Sequence, residues 1–410
     1  MRIKLFLIFY LFSCCIFSQN AMELDSIQVV GFRSSKLDPV PFTTIESDSI
    51  RRITNSNSDP FFTISKSVPN SLSQSDNGTQ YGYSYLRIRG MDQTRINFTL
   101  NGIPMNEMED QGIYFSNMPG FYNSISRMDV SRGIGISKYG STSVVGSINM
   151  ETKSPISKEM IAQMGFGSFG TSSTYLDYSS GLLGKFAFSS SMSYLQTNGF
   201  RENSGSDGHT YFGQVGHFSR GNIIKLLGFI GESKNQLSYI PIDRESLSQN
   251  YRINLNHYSD KDRFAQRFSS INWINSTINN TIFSSSIYFN NVDGKYSVIN
   301  DEYGIVSYQG GGMSNVLWRR GPWNVNIGLN FNLYQRNHRM VSLDTTRYSN
   351  IGNKNDLISY VRMSYALGNY SLFGDIQHRG VSFKYIDENG SSVCYRWKFF
   401  NPKIGISILL

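Results

Sequence analysis

The chain has 410 residues, of which 39% are hydrophobic, 14% aromatic and 17% charged. The charged fraction is low for a soluble protein, where it approaches about a quarter, and the mean hydropathy is −0.30. After the N-terminal segment no apolar run is long enough for a membrane-spanning helix, which excludes a helical membrane protein. The formal net charge is +8, but the basic residues are scattered, and no basic block with interleaved aromatics indicates nucleic-acid binding.

The first residues predict export from the cytoplasm. Arg2 and Lys4 form a short basic segment, and Leu5 to Phe17 form an apolar run too short to span a bilayer. Small and polar residues follow, so residues 1–20 are predicted to be a cleaved signal peptide. A retained anchor helix and a lipoprotein cleavage site are the alternatives. Signal cleavage leaves Cys394 as the only cysteine, which excludes an internal disulfide.

The segment up to Ser154 has the texture of a small α+β domain. Three helix-start signals occur in it, at Ser47–Ser49, Asp59–Pro60 and Asn117–Pro119. Extended runs lie between them, at Tyr85–Arg89 and Arg95–Leu100, each followed by glycine or Asn-Gly turn residues. Residues 35–153 are therefore predicted to form one domain.

From Ser154 onward the sequence alternates with a period of two residues. One parity is apolar or aromatic and the other is Ser, Asn, Gly or Arg, which predicts strands with one apolar and one polar face. The clearest runs are Lys185–Tyr194, Ser284–Phe289, Trp323–Phe331 and Ile358–Tyr365. A transmembrane β-barrel over residues 154–410 is the main prediction, and a soluble β-sandwich is the alternative.

The connections between these runs alternate in length. Gly181–Gly184 and Asn279–Asn280 are tight turns, whereas Ile240–Arg263 and Asp293–Gly312 are predicted to be long polar loops. Short turns at one end and long loops at the other are typical of outer-membrane barrels. Aromatic residues near the predicted strand ends suit an interfacial girdle, namely Trp273, Trp318, Trp323 and Tyr334.

Five segments, in the correct order from Leu24 to Lys153, resemble TonB-dependent outer-membrane receptors. They are Leu24–Arg33, similar to the TonB box and plug entry; Ile88–Asp92, similar to the "RIRG" strand; Leu100–Asn106, similar to the "NGIP" hairpin; Ile125–Gly133; and Tyr139–Asn149. Ser147 replaces the second glycine of the last motif. The resemblance implies an α+β plug domain followed by an antiparallel transmembrane β-barrel, with residues 21–34 as the TonB box and linker.

The resemblance also implies roles for particular residues. The TonB-contact segment is Asp25, Ser26, Ile27, Gln28, Val29 and Val30, a β-prone stretch suited to adding as a strand to a partner's sheet edge; its alternative role is the first plug strand. Arg89 and Arg132 are expected to lock the plug to the barrel wall. Asn101 and Gly102 are expected to form a hairpin turn that needs positive φ. Scaffolding is the main role predicted for this hairpin; the alternative is that the neighbouring loop contacts ligand, through Met105, Asn106, Glu107, Glu109 and Asp110.

Three other patterns do not support catalysis or cofactor binding. Gly165–Gly170 reads GxGxxG, but the residues after it alternate and do not begin a helix, so a hairpin turn is predicted. The five histidines lack metal-ligand spacing. No nucleophile–base constellation is present, and neighbouring acids in the 107–110 loop rarely give a fixed catalytic separation. We expect neither an enzyme nor a bound cofactor or metal.

The length of the repeating tract limits the number of strands. At about 20 residues for each strand with its share of loops, Ser154 to Leu410 holds about 12 strands, whereas barrels that enclose a plug have about 22. Unpaired strand edges in lipid are prohibitive. The expectation from sequence is a partial barrel, either as a fragment of a longer chain or as a truncated product.

The resemblance implies an importer of the Gram-negative outer membrane, energised through TonB and in contact with outer-membrane lipid. Its ligand is expected to be small and extracellular, with an iron–siderophore complex first and cobalamin second; a glycan is less favoured because no extra β-sandwich domain precedes the TonB box. The alternatives are a non-transporting adhesin or phage receptor and a secreted β-rich binding protein.

Overall fold

The computed structural model describes residues 41–53, 58–133 and 145–408. The predicted signal peptide and the TonB-contact segment lie outside these ranges. Within them, no helix is both long enough and apolar enough to span a membrane.

The N-terminal domain contains two small sheets, two α-helices and three 3-10 helices in its described part. Its elements in chain order are β1 (Phe42–Glu46), α1 (Ser47–Ile53), α2 (Pro60–Ser67), β2 (Ser71–Ser75), β3 (Ser84–Ile88), β4 (Met91–Asp92), β5 (Ile96–Leu100), β6 (Ile103–Pro104), β7 (Ile125–Arg132) and β8 (Gly146–Thr152), with 3-10 helices at Gln93–Arg95, Phe115–Asn117 and Phe121–Ser124. The larger sheet has the order β1-β7-β8-β5-β6, and the smaller one has the order β2-β3-β4. β5 and β8 are parallel, and the other neighbours are antiparallel.

Helix starts follow local chemistry at two of the three predicted positions. Asp59 caps α2 by accepting a hydrogen bond from the Phe61 backbone N–H at 2.8 Å, and Pro60 occupies the first turn, where its missing N–H costs nothing. The prediction of a helix beginning at Asn117–Pro119 is wrong, because a 3-10 helix ends at Asn117 and another begins at Phe121. Gly120, with φ of +74°, reverses the chain between them.

A cluster of three phenylalanines lies within the largely aliphatic core of this domain. The rings of Phe61, Phe98 and Phe115 lie 5.2 to 6.3 Å apart and meet at steep angles. Phe61 and Phe98 are fully buried. This cluster joins α2 to the larger sheet, and it supplies the apolar burial that a domain of this size needs.

The second part of the chain is one antiparallel sheet of twelve strands, in sequence order. The strands are β9 (Lys158–Gly167), β10 (Thr171–Ser180), β11 (Phe186–Thr197), β12 (Ser206–Ser219), β13 (Asn222–Gln236), β14 (Lys261–Asn275), β15 (Thr281–Val298), β16 (Asp301–Arg320), β17 (Trp323–Ser342), β18 (Thr345–Leu367), β19 (Tyr370–Ile386) and β20 (Ser392–Ile408). A short helix, α3 (Arg244–Gln249), lies between β13 and β14. Within the described residues, β9 and β20 are the two sheet edges. The predicted α+β domain and antiparallel strand tract are confirmed.

Alternation of burial along these strands separates two faces. In β11 every second residue is buried, and in β17 the apolar side chains of Ile327, Leu329 and Leu333 are about half exposed while Asn330 and Asn332 between them are buried. The polar parity of the sheet therefore faces the N-terminal domain, and the apolar parity faces outward. This is the arrangement expected of strands with lipid on one side and a filled lumen on the other.

Two sequence predictions about this sheet are wrong. Tyr334 does not belong to an interfacial girdle, because it shares the inward parity of Asn332 and is only 4% exposed. Asp293–Gly312 is not a loop, because β15 and β16 continue as a hairpin to a turn at Ile299. Cross-strand contacts stabilise that hairpin: the Tyr296 and Tyr303 rings stack at 4.8 Å, as aromatic pairs do on paired strands.

Candidate ligand cavity

An acidic turn of the N-terminal domain projects against the inner face of the large sheet. The turn, residues 105–112, is closed by backbone hydrogen bonds from Glu107 N–H to the Gly112 carbonyl at 2.8 Å and from Gln111 N–H to the Glu107 carbonyl at 3.0 Å. Asn106 fixes its base, because its side chain accepts from Phe98 N–H and donates to the Gln111 carbonyl, both at 2.7 Å. The turn therefore presents its carboxylates from a defined backbone.

Basic and hydroxyl groups of β17 and β18 hold these carboxylates. Arg336 lies 3.2 Å from Glu107, 3.3 Å from Asp110 and 3.8 Å from Glu109. His338 Nε2 is 3.0 Å from Glu109. Two further hydrogen bonds hold the turn: the Tyr334 hydroxyl donates to Glu107, and Lys354 Nζ donates to the Met108 carbonyl at 2.5 Å.

Burial dominates the electrostatics of the turn. It raises the pKa of Glu107 from 4.5 to about 7; the Arg336 charge opposes that rise, and the charges of Asp110 and Glu109 add to it. A buried carboxyl group surrounded by two others is easier to protonate because the charged form loses hydration and meets like charge.

A cavity of about 350 Å³ lies between this turn and the sheet. Its apolar lining comes from Met105 and Ile113 on the N-terminal domain and from Leu237, Phe264, Val292 and Ile305 on the large sheet. Five tyrosines also line it: Tyr83, Tyr85, Tyr114, Tyr239 and Tyr296. A concave, mostly apolar site with a few convergent polar groups is typical of small-molecule binding.

Tyrosines and carboxylates pair along the wall of the cavity. Tyr85 donates to Asp76 at 3.0 Å, and Tyr114 lies 3.4 Å from Asp110. Burial raises the pKa of Tyr83 well above its usual range, and the nearby charge of Asp262 raises it further. Burial also raises the pKa of Asp76, against the lowering effects of Tyr85 and Arg201.

The cavity lies toward one end of the large sheet. Its sheet residues lie near the start of β14, in the later halves of β15 and β17, and near the start of β16, which is the end that carries the 237–260 connection. Turns at the opposite end, such as Gly221 and Gly321, are short. Three tryptophans, Trp273, Trp318 and Trp323, are exposed on the outer face near that short-turn end.

Other contacts fix the N-terminal domain against the sheet. Phe121 packs on Phe229 and Phe212, with ring centroids at 4.7 and 5.7 Å. Lys153 pairs with Asp177 at 3.1 Å where the chain enters the sheet.

Comparison with known proteins identifies the N-terminal domain. Residues 34–147 match the family model described as the TonB-dependent receptor plug domain. These residues form a TonB-dependent receptor plug domain. The family resemblance predicted from the sequence is confirmed. A search of curated proteins found no match.

Solved receptor structures share the fold of the plug and the twelve-stranded sheet. The unliganded ferric citrate transporter FecA aligns with a TM-score of 0.76 and 12% identity over 91% of this chain and 61% of its own. The ferric-catecholate import receptor Fiu of E. coli K12, in its open form, aligns with a TM-score of 0.68 and 13% identity over 90% of this chain and 66% of its own. The copper transporter OprC aligns with a TM-score of 0.71 and 12% identity over 90% of this chain and 60% of its own. The chain thus spans about three-fifths to two-thirds of the length of these proteins.

The predicted site residues of the plug lie in the cavity lining, elsewhere in the acidic turn, or in the turn between β5 and β6. Met105, Glu107 and Asp110 line the cavity, whereas Asn106 supports the turn and Glu109 contacts Arg336 and His338. Asn101 and Gly102 form the turn between β5 and β6 with φ of +50° and +84°.

The two predicted lock arginines lie away from the cavity. Arg89 is exposed in the turn after β3, and Arg132 ends β7. Among the described residues neither forms an ion pair, so their locking role stays a prediction. No group of three or more His, Cys, Asp or Glu side chains in the described ranges is arranged to hold a metal ion.

Sequence reasoning missed Arg336, His338 and Lys354, the groups that hold the acidic turn. For Arg336 and His338, the alternation of inward and outward positions along β17 was the signal that could have found them. Asn330 and Asn332 mark the inward face of β17, and Arg336 and His338 continue that parity beyond the apolar run.

Proposed function

We propose that this protein is an outer-membrane receptor that binds a scarce small ligand in the cavity above the plug and imports it with energy from TonB. The single observation that carries the proposal is the cavity itself, closed on one side by a plug-domain turn and on the other by the inner face of the sheet.

The two faces of the sheet support a location in the outer membrane. Apolar side chains such as Ile287, Leu329 and Ile376 are half exposed on the outer face. Such surface is unfavourable in water, and contact with lipid removes that cost. By the usual asymmetry of such barrels, the short-turn end faces the periplasm and the cavity faces outside.

An iron–siderophore complex is the ligand class we propose. FecA and Fiu are named as a ferric citrate transporter and a ferric-catecholate import receptor, and they share this fold. The tyrosine-rich apolar lining suits a bulky chelate with aromatic or alkyl surface. Cobalamin, a glycan, adhesion without transport and secretion as a soluble binder remain the alternatives.

The plug sheet provides a route for a pull from the periplasm. Among the described residues, β1 is an edge strand that pairs with β7 alone, over five residues. It follows the proposed TonB-contact segment Asp25–Val30 along the chain. Force on that segment reaches β1 first. The Arg127–Glu46 ion pair at 2.6 Å ties β1 to β7 and resists peeling.

Growth of the native host on defined iron sources tests the proposal. Val29→Pro removes a backbone donor from the TonB-contact segment, whereas Val29→Ala keeps every backbone group for strand addition. We expect the proline variant to lose siderophore-dependent growth and accumulation of labelled iron chelate while ligand still binds to cells, and the alanine variant to import normally. Equal import by both variants contradicts TonB coupling, and growth of a deletion strain on every siderophore and on cobalamin contradicts the ligand class.

A further inference from the structure

The cavity has an excess of negative charge. Four carboxylates line it, from Asp76, Glu107, Asp110 and Asp262, against a single basic side chain, Arg336. Arg336 is already engaged by Glu107 and Asp110 at 3.2 and 3.3 Å. Even with Glu107 protonated, three carboxylates of the lining face the one guanidinium of the lining, and the nearby basic groups Arg201 and Lys354 act on Asp76 and on the acidic turn from outside it.

Among the four lining carboxylates, Asp262 is the one without a basic partner in the described residues; its partners are the neutral Asn235 and Tyr83 side chains. Its residue is only 6% exposed, and its Oδ1 accepts a hydrogen bond from the Asn235 amide at 2.9 Å. No donor meets its buried Oδ2 at full hydrogen-bond geometry among the described residues, and the neighbouring Tyr83 hydroxyl is the group that acts on this carboxylate. A buried carboxylate without a cationic partner is costly, and a ligand that brings a positive charge to it would reduce that cost.

The rest of the lining suits a cation attached to apolar groups. Tyrosine rings attract ammonium and guanidinium groups through their π faces, and five tyrosines line this space. Tyr83 of the plug and Tyr114 lie edge to face with ring centroids 6.3 Å apart, and the charge of Asp262 acts on Tyr83. Aromatic rings and a carboxylate without a basic partner therefore lie on one side of the cavity.

We propose that the cavity recognises an organic cation, an ammonium or guanidinium group flanked by apolar surface, as part of the imported ligand. This inference rests on the proposed function, because it names the charge of the ligand at the same site. It separates the expected ligand from a polyanionic chelate, which would meet the carboxylates of both plug and sheet.

Three small probes of one shape test the charge preference without knowledge of the natural ligand. Choline carries a quaternary ammonium, 3,3-dimethylbutan-1-ol is its neutral isostere, and 3,3-dimethylbutanoate is an anion of similar size. Each is titrated into the purified receptor in detergent at pH 7.5, with saturation-transfer NMR as the readout. We expect choline to bind at least tenfold more tightly than the neutral isostere, and the anion to show no saturable binding.

Two matched variants locate the effect. Asp262→Asn removes the charge at nearly constant shape and should weaken choline binding at least tenfold while leaving the neutral isostere unchanged. Glu232→Gln removes a carboxylate from the adjacent strand, outside the cavity lining, and should change neither. Equal binding of cation and isostere, tighter binding of the anion, no saturable choline binding, or an unaffected Asp262→Asn variant overturns the inference.

Failure of this inference and failure of the proposed function are distinguishable. Probe binding requires neither TonB nor an energised membrane, and the comparison of the three probes on the wild-type receptor requires no variant to fold. Cation preference without any uptake contradicts the import proposal alone. Normal uptake without cation preference contradicts the charge inference alone.

Discussion

Arg336 Nη1 lies 3.2 Å from Oε2 of Glu107, although the two residues are 229 positions apart in the sequence. Both side chains are only 12% exposed. The plug turn and the sheet wall are therefore joined at the cavity by a largely buried ion pair.

Arg336→Ala is expected to release the acidic turn. Removing one partner of a buried ion pair leaves the other charge uncompensated and costs about 3–5 kcal/mol. Hydrogen exchange of the Glu107 and Gln111 amides, which close the turn, should accelerate accordingly. The control is Arg263→Ala, because Arg263 is 60% exposed in its pair with Glu232 and such surface pairs contribute about 0–1 kcal/mol. Unchanged exchange in the Arg336 variant would show that the turn holds itself.

Asp59 makes the stability of α2 depend on pH. Burial raises the pKa of this capping carboxyl from 3.8 to about 7, against lowering by hydrogen bonds from Ser84 and Phe61. Because the folded state keeps the proton longer than the unfolded state, stability falls as pH rises from about 4 to 7 and is level above that.

Asp59→Asn keeps the capping oxygen and removes the ionisation. It should raise the stability of α2 at pH 8 by a few kcal/mol at most, since one pKa unit corresponds to about 1.4 kcal/mol, with little effect at pH 4. Free energies from hydrogen exchange of residues 61–68 at several pH values measure this. Asp59→Ala, which also lacks the ionisation but has no cap, should be about 1 kcal/mol less stable than Asp59→Asn at both pH values. A pH-independent Asp59→Asn difference would contradict the prediction.

Phe121→Ala should loosen the plug from the sheet. Phe121 is 2% exposed and packs on Phe212 and Phe229, and truncating a buried phenylalanine costs about 3–5 kcal/mol. Limited proteolysis of the plug in the folded receptor should accelerate. Leu72→Ala removes an apolar plug side chain that is 61% exposed and should change the rate little. If both variants are cleaved alike, Phe121 does not anchor the plug.

Leu329→Arg tests the proposal that the outer face of the sheet contacts lipid. Leu329 is 50% exposed at the centre of the apolar run of β17, and an arginine at the bilayer midplane costs about 2–4 kcal/mol. The free energy of folding into lipid vesicles, measured by denaturant titration, should become less favourable by that amount. Leu343→Arg, in the turn at the end of the same hairpin, should be neutral. Equal effects would place Leu329 outside the membrane.

The sequence by itself determined the elements whose causes are local. The period-two alternation predicted the strands of the sheet, the GxGxxG segment was correctly read as the β9–β10 hairpin turn, and the Asp59–Pro60 pair predicted the start of α2. The ordered plug motifs predicted the domain that the family match confirms. The strand, turn and cap signals each depend on neighbouring residues, whereas the plug motifs are recognised by their order from Leu24 to Lys153.

Only the tertiary structure decided which residues of the plug contact which residues of the large sheet. The residues of the 105–112 turn could be singled out, but their partners Arg336, His338 and Lys354 depend on the register of β17 and β18 and on the position of the plug. Tyr334 failed as a girdle residue because a shift of one position in a strand exchanges the outer face for the inner one. The cavity, and the position of the Asp262 carboxylate in its wall, result from the same long-range register, which no local pattern encodes.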